Sequence, residues 1–126
     1  MSSLRVPHGL IGSRLLQVAW TTAIVVALFA TLLPMAEQTP RFAYADKVFH
    51  FGYFLLLGVL AVLSQRQPLA ALFAALGTVG LGVLIEIIQW FLPWRSFEWL
   101  DILADTVGVL VGYALTIRLQ DHPAQR

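Results

Sequence analysis

Apolar residues fall in four blocks along the chain, each closed by a proline or a polar cluster. The first block, 15–33, is predominantly apolar over 19 positions, which suits the about 17–25 residues that a helix needs to span a bilayer. Pro34 ends it, because proline pushes the residue before it out of the α region. Residues 35–45 read as a loop with Glu37, Pro40 and Arg41. Asp46 stands where an N-cap or first-turn carboxylate meets the positive end of a helix dipole, and a second helix is predicted over 47–63. Ser64, Gln65, Arg66 and Gln67 make a tight turn, and Pro68 suits the first turn of a third helix. That helix, 69–92, is the longest block. A connector over 93–98 leads to a fourth helix, 99–118, and a polar tail follows. The pattern predicts an all-α integral membrane protein: four transmembrane helices in a small bundle, forming one domain over 1–126.

A basic start before an apolar block also describes a signal peptide. The block exceeds the about 7–15 residues of such a segment's apolar core, so a retained span is expected. Composition agrees with the membrane reading. Of 126 residues, 59% are hydrophobic and 12% are charged, against roughly 25% charged in a soluble domain. The absence of cysteine excludes disulfides, thiolate metal sites and thiol nucleophiles. No P-loop, dinucleotide fingerprint or basic tract for nucleic acid is present, and no motif demands a metal or other cofactor.

Four spans place both termini on one side. Arg5, Arg14, Arg66, Arg118 and Arg126 fall on the terminal side, against Arg41, Lys47 and Arg95 on the other. The positive-inside rule then puts both termini in the cytoplasm. Glu37, Asp46, Glu86, Glu98, Asp101 and Asp105 lie towards the outer face, with only Asp121 opposite.

The charges inside the apolar blocks carry the functional question, since a charge near the membrane centre costs about 2.5–3.5 kcal/mol even on the mild insertion scale. Residues three or four apart share a helix face. Asp46, His50, Phe54 and Gly58 form one such row. Thr78, Gly82 and Glu86 form another, with Gln89 three further on, and Asp101, Asp105, Gly108 and Gly112 form a third. Small residues let membrane helices approach closely, so these rows should face neighbouring helices. Gly82, Gly108 and Gly112 are read as packing positions. The rows bring Asp46, Lys47, His50, Glu86, Gln89, Arg95, Asp101 and Asp105 towards one end of the bundle, with Glu98 at the rim. Acid is in excess there, so a carboxyl is protonated, or His50 is, or a cation is bound.

Each feature also has a plain explanation. The G-x-x-x-G of Gly108 and Gly112 serves packing without implying dimerisation. Trp90, Trp94 and Trp99 suit an interfacial belt. Thr21, Thr22 and Thr31 can bond back within their helix. His50 alone fits a hydrogen-bonded core histidine, and Arg95 alone a headgroup contact. The whole cluster could be an ion-pair network locking four helices, although ion pairs taken out of water roughly break even against apolar packing.

The run D-K-V-F-H-F at Asp46 to Phe51, E-I-I-Q at Glu86 to Gln89, R-S-F-E-W-L-D at Arg95 to Asp101 and A-D-T-V-G at Ala104 to Gly108 resembles the VanZ-like family of small multi-pass bacterial membrane proteins. The pattern spans 46–112. The founding member is associated with low-level teicoplanin resistance, and the family's molecular activity is not established. Position by position, the resemblance picks out Asp46, Lys47, His50, Glu86, Gln89, Arg95, Asp101, Asp105, Gly108 and Gly112. The family often has asparagine where this chain has Asp105, which implies hydrogen bonding there rather than metal ligation or acid–base work.

Three functions follow. The first is binding at the outer leaflet of a lipid-linked envelope precursor or a lipophilic antibiotic, Arg95 and Lys47 meeting phosphate or carboxylate. The second is an intramembrane hydrolase or transferase, with His50 as general base oriented by Asp46 or Glu86, and Asp101 and Asp105 holding a divalent cation. The third is proton-coupled movement with Glu86 as carrier. It is the weakest, because the row below Glu86 is Gly82, Thr78, Ala74 and Ala70, and a four-helix path is thin without a homo-oligomer. Membrane lipids are expected partners and nucleic acid is not.

Overall fold

A computed structural model describes residues 10–34 and 44–122. Arg5, Glu37, Pro40, Arg41 and Arg126 lie outside the described residues. Among the described residues there are four helices: α1 (Leu10–Leu32), α2 (Ala45–Leu63), α3 (Pro68–Phe91) and α4 (Trp99–Asp121). Each is long and apolar enough to cross a membrane. Helix α1 starts five residues before the apolar block and runs through Arg14. Helix α4 continues past Arg118, whose charge suits the negative end of the helix dipole. The apolar blocks do not reveal either extension, because Gly12, Ser13 and Arg14 interrupt the first and Gln120 and Asp121 close the second.

The helices run up and down. The C-terminal ends of α1 and α3 and the N-terminal ends of α2 and α4 meet at one end of the bundle, where Lys47 contacts Asp101 and Arg95 contacts Ala30. At the opposite end the Gln17 amide donates to the Ser64 carbonyl at 3.3 Å.

Helices α2 and α4 pack closest of all, although α3 separates them in sequence. Glycines explain it. A Cβ placed on Gly108 would lie 2.5 Å from the Phe51 carbonyl oxygen, and one on Gly58 would lie 2.6 Å from that of Val109. At Gly112 it would run into the Leu55 carbonyl oxygen. The two backbones touch only because these three positions carry no side chain. Phe54, Leu57, Ala75, Ile85 and Val109 form the core beside that contact.

Helix α1 is the outlying member. Among its described side chains Ala27 alone is buried. Tyr53 on α2 donates its hydroxyl to the Ala23 carbonyl at 2.7 Å. The stronger attachment is at the end of α1. Pro34 has no N–H for the Ala30 carbonyl, and the carbonyls of Thr31, Leu32 and Leu33 lie past the last helical donor. Gln89 donates to Thr31 at 2.9 Å, Trp94 to Leu32 at 3.0 Å, and Arg95 to Ala30 at 3.1 Å and Leu33 at 3.5 Å. Side chains of α3 and its connector thus supply the cap that α1 lacks.

Candidate functional site

Local sequence places the polar groups before any tertiary contact does. Tyr44 adopts the left-handed conformation, φ 63°, and starts α2, which leaves Asp46 and Lys47 in the first turn. Glu98 is extended and starts α4, which leaves Asp101 in that first turn. Close packing of α2 on α4 then brings the two first turns together.

Lys47 is the hub. Its ammonium contacts Asp101 Oδ1 at 2.8 Å, Asp46 Oδ2 at 2.5 Å, and Glu98 Oε2. The three carboxylates differ in exposure: the Asp101 side chain is 9% exposed, while Asp46 and Glu98 are 45% and 44% exposed. Lys47–Asp101 is therefore the desolvated pair, and the other two are rim contacts screened by solvent.

His50 stands one turn deeper. Its Nδ1 lies 2.9 Å from Asp105 Oδ1, and its Nε2 lies 3.7 Å from Asp101 Oδ2. Asp105 is 1% exposed and sits over Gly82, where an added Cβ would come within 2.9 Å of its Oδ2. Gly82 is thus the seat for this carboxylate. The expected orienting partners of His50, Asp46 and Glu86, do not take that role. Asp46 turns to its neighbour Lys47, and the rotation of α4 imposed by its glycine face delivers Asp105 instead.

Glu86 is fully buried. Its Oε2 accepts a hydrogen bond from the Glu98 backbone N–H at 3.1 Å. That N–H would be taken in a capping box by the residue three positions on, here Asp101. Asp101 is engaged with Lys47, and a carboxylate from α3 caps α4 in its place. Glu86 Oε1 and Asp105 Oδ2 are buried with no hydrogen-bond partner among the described residues.

Two spaces meet at His50. A polar cleft of about 410 Å³ is lined by residues that include Asp46, His50, Gln89, Arg95, Glu98 and Asp101. An apolar pocket of about 210 Å³ lies between α1 and α2, lined by Ala27, Ala30, Thr31, Phe49, His50, Tyr53 and Phe54. Lys47, Glu86 and Asp105 stand behind the cleft wall. Arg95 lines the cleft with its Nη2 on α1, while its Nε is buried without a partner among the described residues. Trp90 and Trp99 are exposed at the same end, and Trp90 packs on Phe91 and Phe97. Atoms of metal-ligand type from His50, Glu86 and Asp101 lie within 4.8 Å of one another, as do those of Asp46, Glu98 and Asp101.

Sequence reasoning put Glu98 at the rim and missed its two roles, as a Lys47 partner and as the N–H that binds Glu86. It also missed that Gln89, Trp94 and Arg95 act together on α1. Pro34 was the available signal, because a proline after an apolar helix strands the carbonyl four residues earlier.

The family model for VanZ/LLP1 matches residues 6–120, a stretch that holds all of these groups. The chain belongs to the VanZ/LLP1 family. Helix α1 falls within that match, well outside the motif segment 46–112. As a VanZ/LLP1 protein with four spanning helices, it is a multi-pass membrane protein. No curated protein and no solved structure matches the chain.

Proposed function

We propose that this VanZ/LLP1 protein binds an amphiphile of the bacterial cell envelope at the outer leaflet of the cytoplasmic membrane, with both termini in the cytoplasm. The observation that carries this reading is the meeting of the polar cleft and the apolar pocket at His50. An amphiphile has the same split character. Its polar head would enter the cleft, where the guanidinium of Arg95 would meet a phosphate or carboxylate, and its tail would lie between α1 and α2 against Phe49 and Tyr53. A lipid-linked precursor and a lipophilic glycopeptide both fit that description, and binding the latter would give teicoplanin-type tolerance. The test uses polyprenyl phosphate and teicoplanin as probes, in native mass spectrometry of the protein released from detergent micelles. One probe should be retained at one per chain, and Ala30→Trp, which fills the apolar pocket, should abolish its retention. Retention of neither probe, or unchanged retention in Ala30→Trp, would rule the reading out. In cells, Arg95→Ala should lower glycopeptide or detergent tolerance if binding underlies it.

The His50–Asp105 pair supports a second reading. Asp105 holds Nδ1 and leaves Nε2 facing Asp101 and the cleft, the arrangement of a general base with its orienting carboxylate. On that reading the protein is an intramembrane hydrolase or transferase of a lipid-linked substrate. Absence of any phosphate release from polyprenyl diphosphate by purified protein would count against it. A purely structural ion-pair lock accounts for Lys47 and its three acids. It gives no reason to bury Glu86 Oε1 and Asp105 Oδ2 without partners, each at a desolvation cost of about 1–3 kcal/mol or more.

A further inference from the structure

We infer that His50, Glu86 and Asp101 form a binding site for one divalent transition-metal ion at the floor of the polar cleft. The donors come from three helices: an imidazole on α2 and carboxylates on α3 and α4. Their ligand-type atoms lie within 4.8 Å of one another. Ligands about 2.0–2.2 Å from a common ion stand roughly 3.0–3.6 Å apart, so His50 Nε2 and Asp101 Oδ2, at 3.7 Å, are already close to bridging distance. The remaining contraction lies within the reach of side-chain rotation.

The buried, unpartnered oxygen of Glu86 points to an ion rather than to a chance gathering of acids, and the setting of His50 agrees. Glu86 is 0% exposed, yet its Oε1 has no hydrogen-bond partner among the described residues. A buried carboxylate oxygen with nothing to bond is explained by a cation that completes it. The Nδ1 of His50 is held by the buried carboxylate of Asp105 at 2.9 Å; in a neutral imidazole that partner favours the tautomer with the proton on Nδ1 and the lone pair on Nε2. A metal-ligating histidine has its other ring nitrogen held in this way almost always. Asp105 thus positions His50 without ligating the ion.

One nitrogen and two carboxylate donors suit Zn²⁺ or Mn²⁺ better than Mg²⁺, which prefers oxygen ligands and retained water. His50 and Asp101 both line the cleft, so the open coordination position faces it. There the ion would add to the positive charge of Arg95, since Lys47 is held by three acids. This use of the ion to receive an anionic head rests on the amphiphile reading; the site itself does not. Metal on Nε2 also removes that nitrogen from service as a general base.

The experiment is competition between metal-stripped protein in detergent, without added lipid, and a chromophoric chelator for Zn²⁺ and Mn²⁺. One ion per chain is expected, with affinity falling at least about tenfold in Glu86→Gln and in His50→Gln. No saturable binding by the natural chain, or unchanged affinity in both variants, would overturn the proposal. So would loss in Asp46→Asn with Glu86→Gln unaffected, which places the ion on the outer acids. Should the variants fail to fold, X-ray absorption of the Zn²⁺-loaded natural chain decides: one imidazole nitrogen with oxygen donors upholds the site, and a shell without imidazole overturns it. Because no lipid enters these measurements, a negative result leaves amphiphile binding standing, and loss of amphiphile binding alone leaves the metal site standing.

Discussion

Replacing Gly108 by alanine should drive α2 and α4 apart and loosen everything built on their contact. The added methyl would lie 2.5 Å from the Phe51 carbonyl oxygen and 3.0 Å from the Leu55 nitrogen. Both are helix backbone atoms, so no side chain can swing aside. Overpacking of this kind costs about 1–3 kcal/mol. Alanine also favours a helix over glycine by about 0.5–1 kcal/mol. The net loss is then up to about 2.5 kcal/mol. Gly80 supplies the control, because an added Cβ there meets nothing within 4 Å, so Gly80→Ala should keep the propensity gain. The propensity gain is common to both, so the two variants should differ by the overpacking cost, about 1–3 kcal/mol. Equilibrium unfolding in mixed micelles, followed by tryptophan fluorescence, reads the difference directly. Equal stability of Gly108→Ala and Gly80→Ala would refute close backbone contact as the basis of the α2–α4 pair.

Other consequences test the polar end. Lys47→Met leaves Asp101 desolvated without its counter-charge and should cost about 3 kcal/mol, while Glu98→Gln, at a half-exposed rim carboxylate, should cost under about 1 kcal/mol; unfolding in micelles compares them. Arg95→Leu removes the donor to the Ala30 and Leu33 carbonyls and should cost about 1.5–3 kcal/mol, seen as faster amide exchange confined to the end of α1; uniform exchange across all helices would contradict it. Gly82→Ala should displace the Asp105 carboxylate and release His50, so the histidine's Nδ1–H resonance in a nitrogen-15 spectrum should shift or vanish, whereas Gly77→Ala, with open space around it, should leave that resonance in place.

The number and type of elements were legible in the four apolar blocks, because spanning helices must be apolar over their whole lipid-facing length. Boundaries were legible where proline stood at a block's edge, as at Pro34 and Pro68, and were not where α1 and α4 ran on through Gly12, Ser13 and Arg14 or Gln120 and Asp121. That polar rows from α2, α3 and α4 run towards one end followed from helical spacing of His50, Glu86 and Asp105. Their partners did not follow. Which carboxylate reaches His50 depends on the rotation of α4 about its axis, and that rotation is set by Gly58, Gly108 and Gly112 against a helix two elements away. Spacing within one helix holds no such information. The capping of α1 by Gln89, Trp94 and Arg95 was hidden for a similar reason: it joins residues about sixty positions apart through carbonyls common to every sequence.

The pairing of α2 with α4 also dictates an order of assembly. Synthesis delivers α2 first, with its glycine face bare and Lys47 accompanied only by Asp46. Helix α3 follows and covers another side. Only when α4 emerges do Gly58 and the carbonyls of Phe51 and Leu55 find their surface, and only then does Lys47 meet Asp101. Helix α4, made after the other three, closes both the steric and the ionic contact, so a chain truncated before it holds three helices without the joint that unites them.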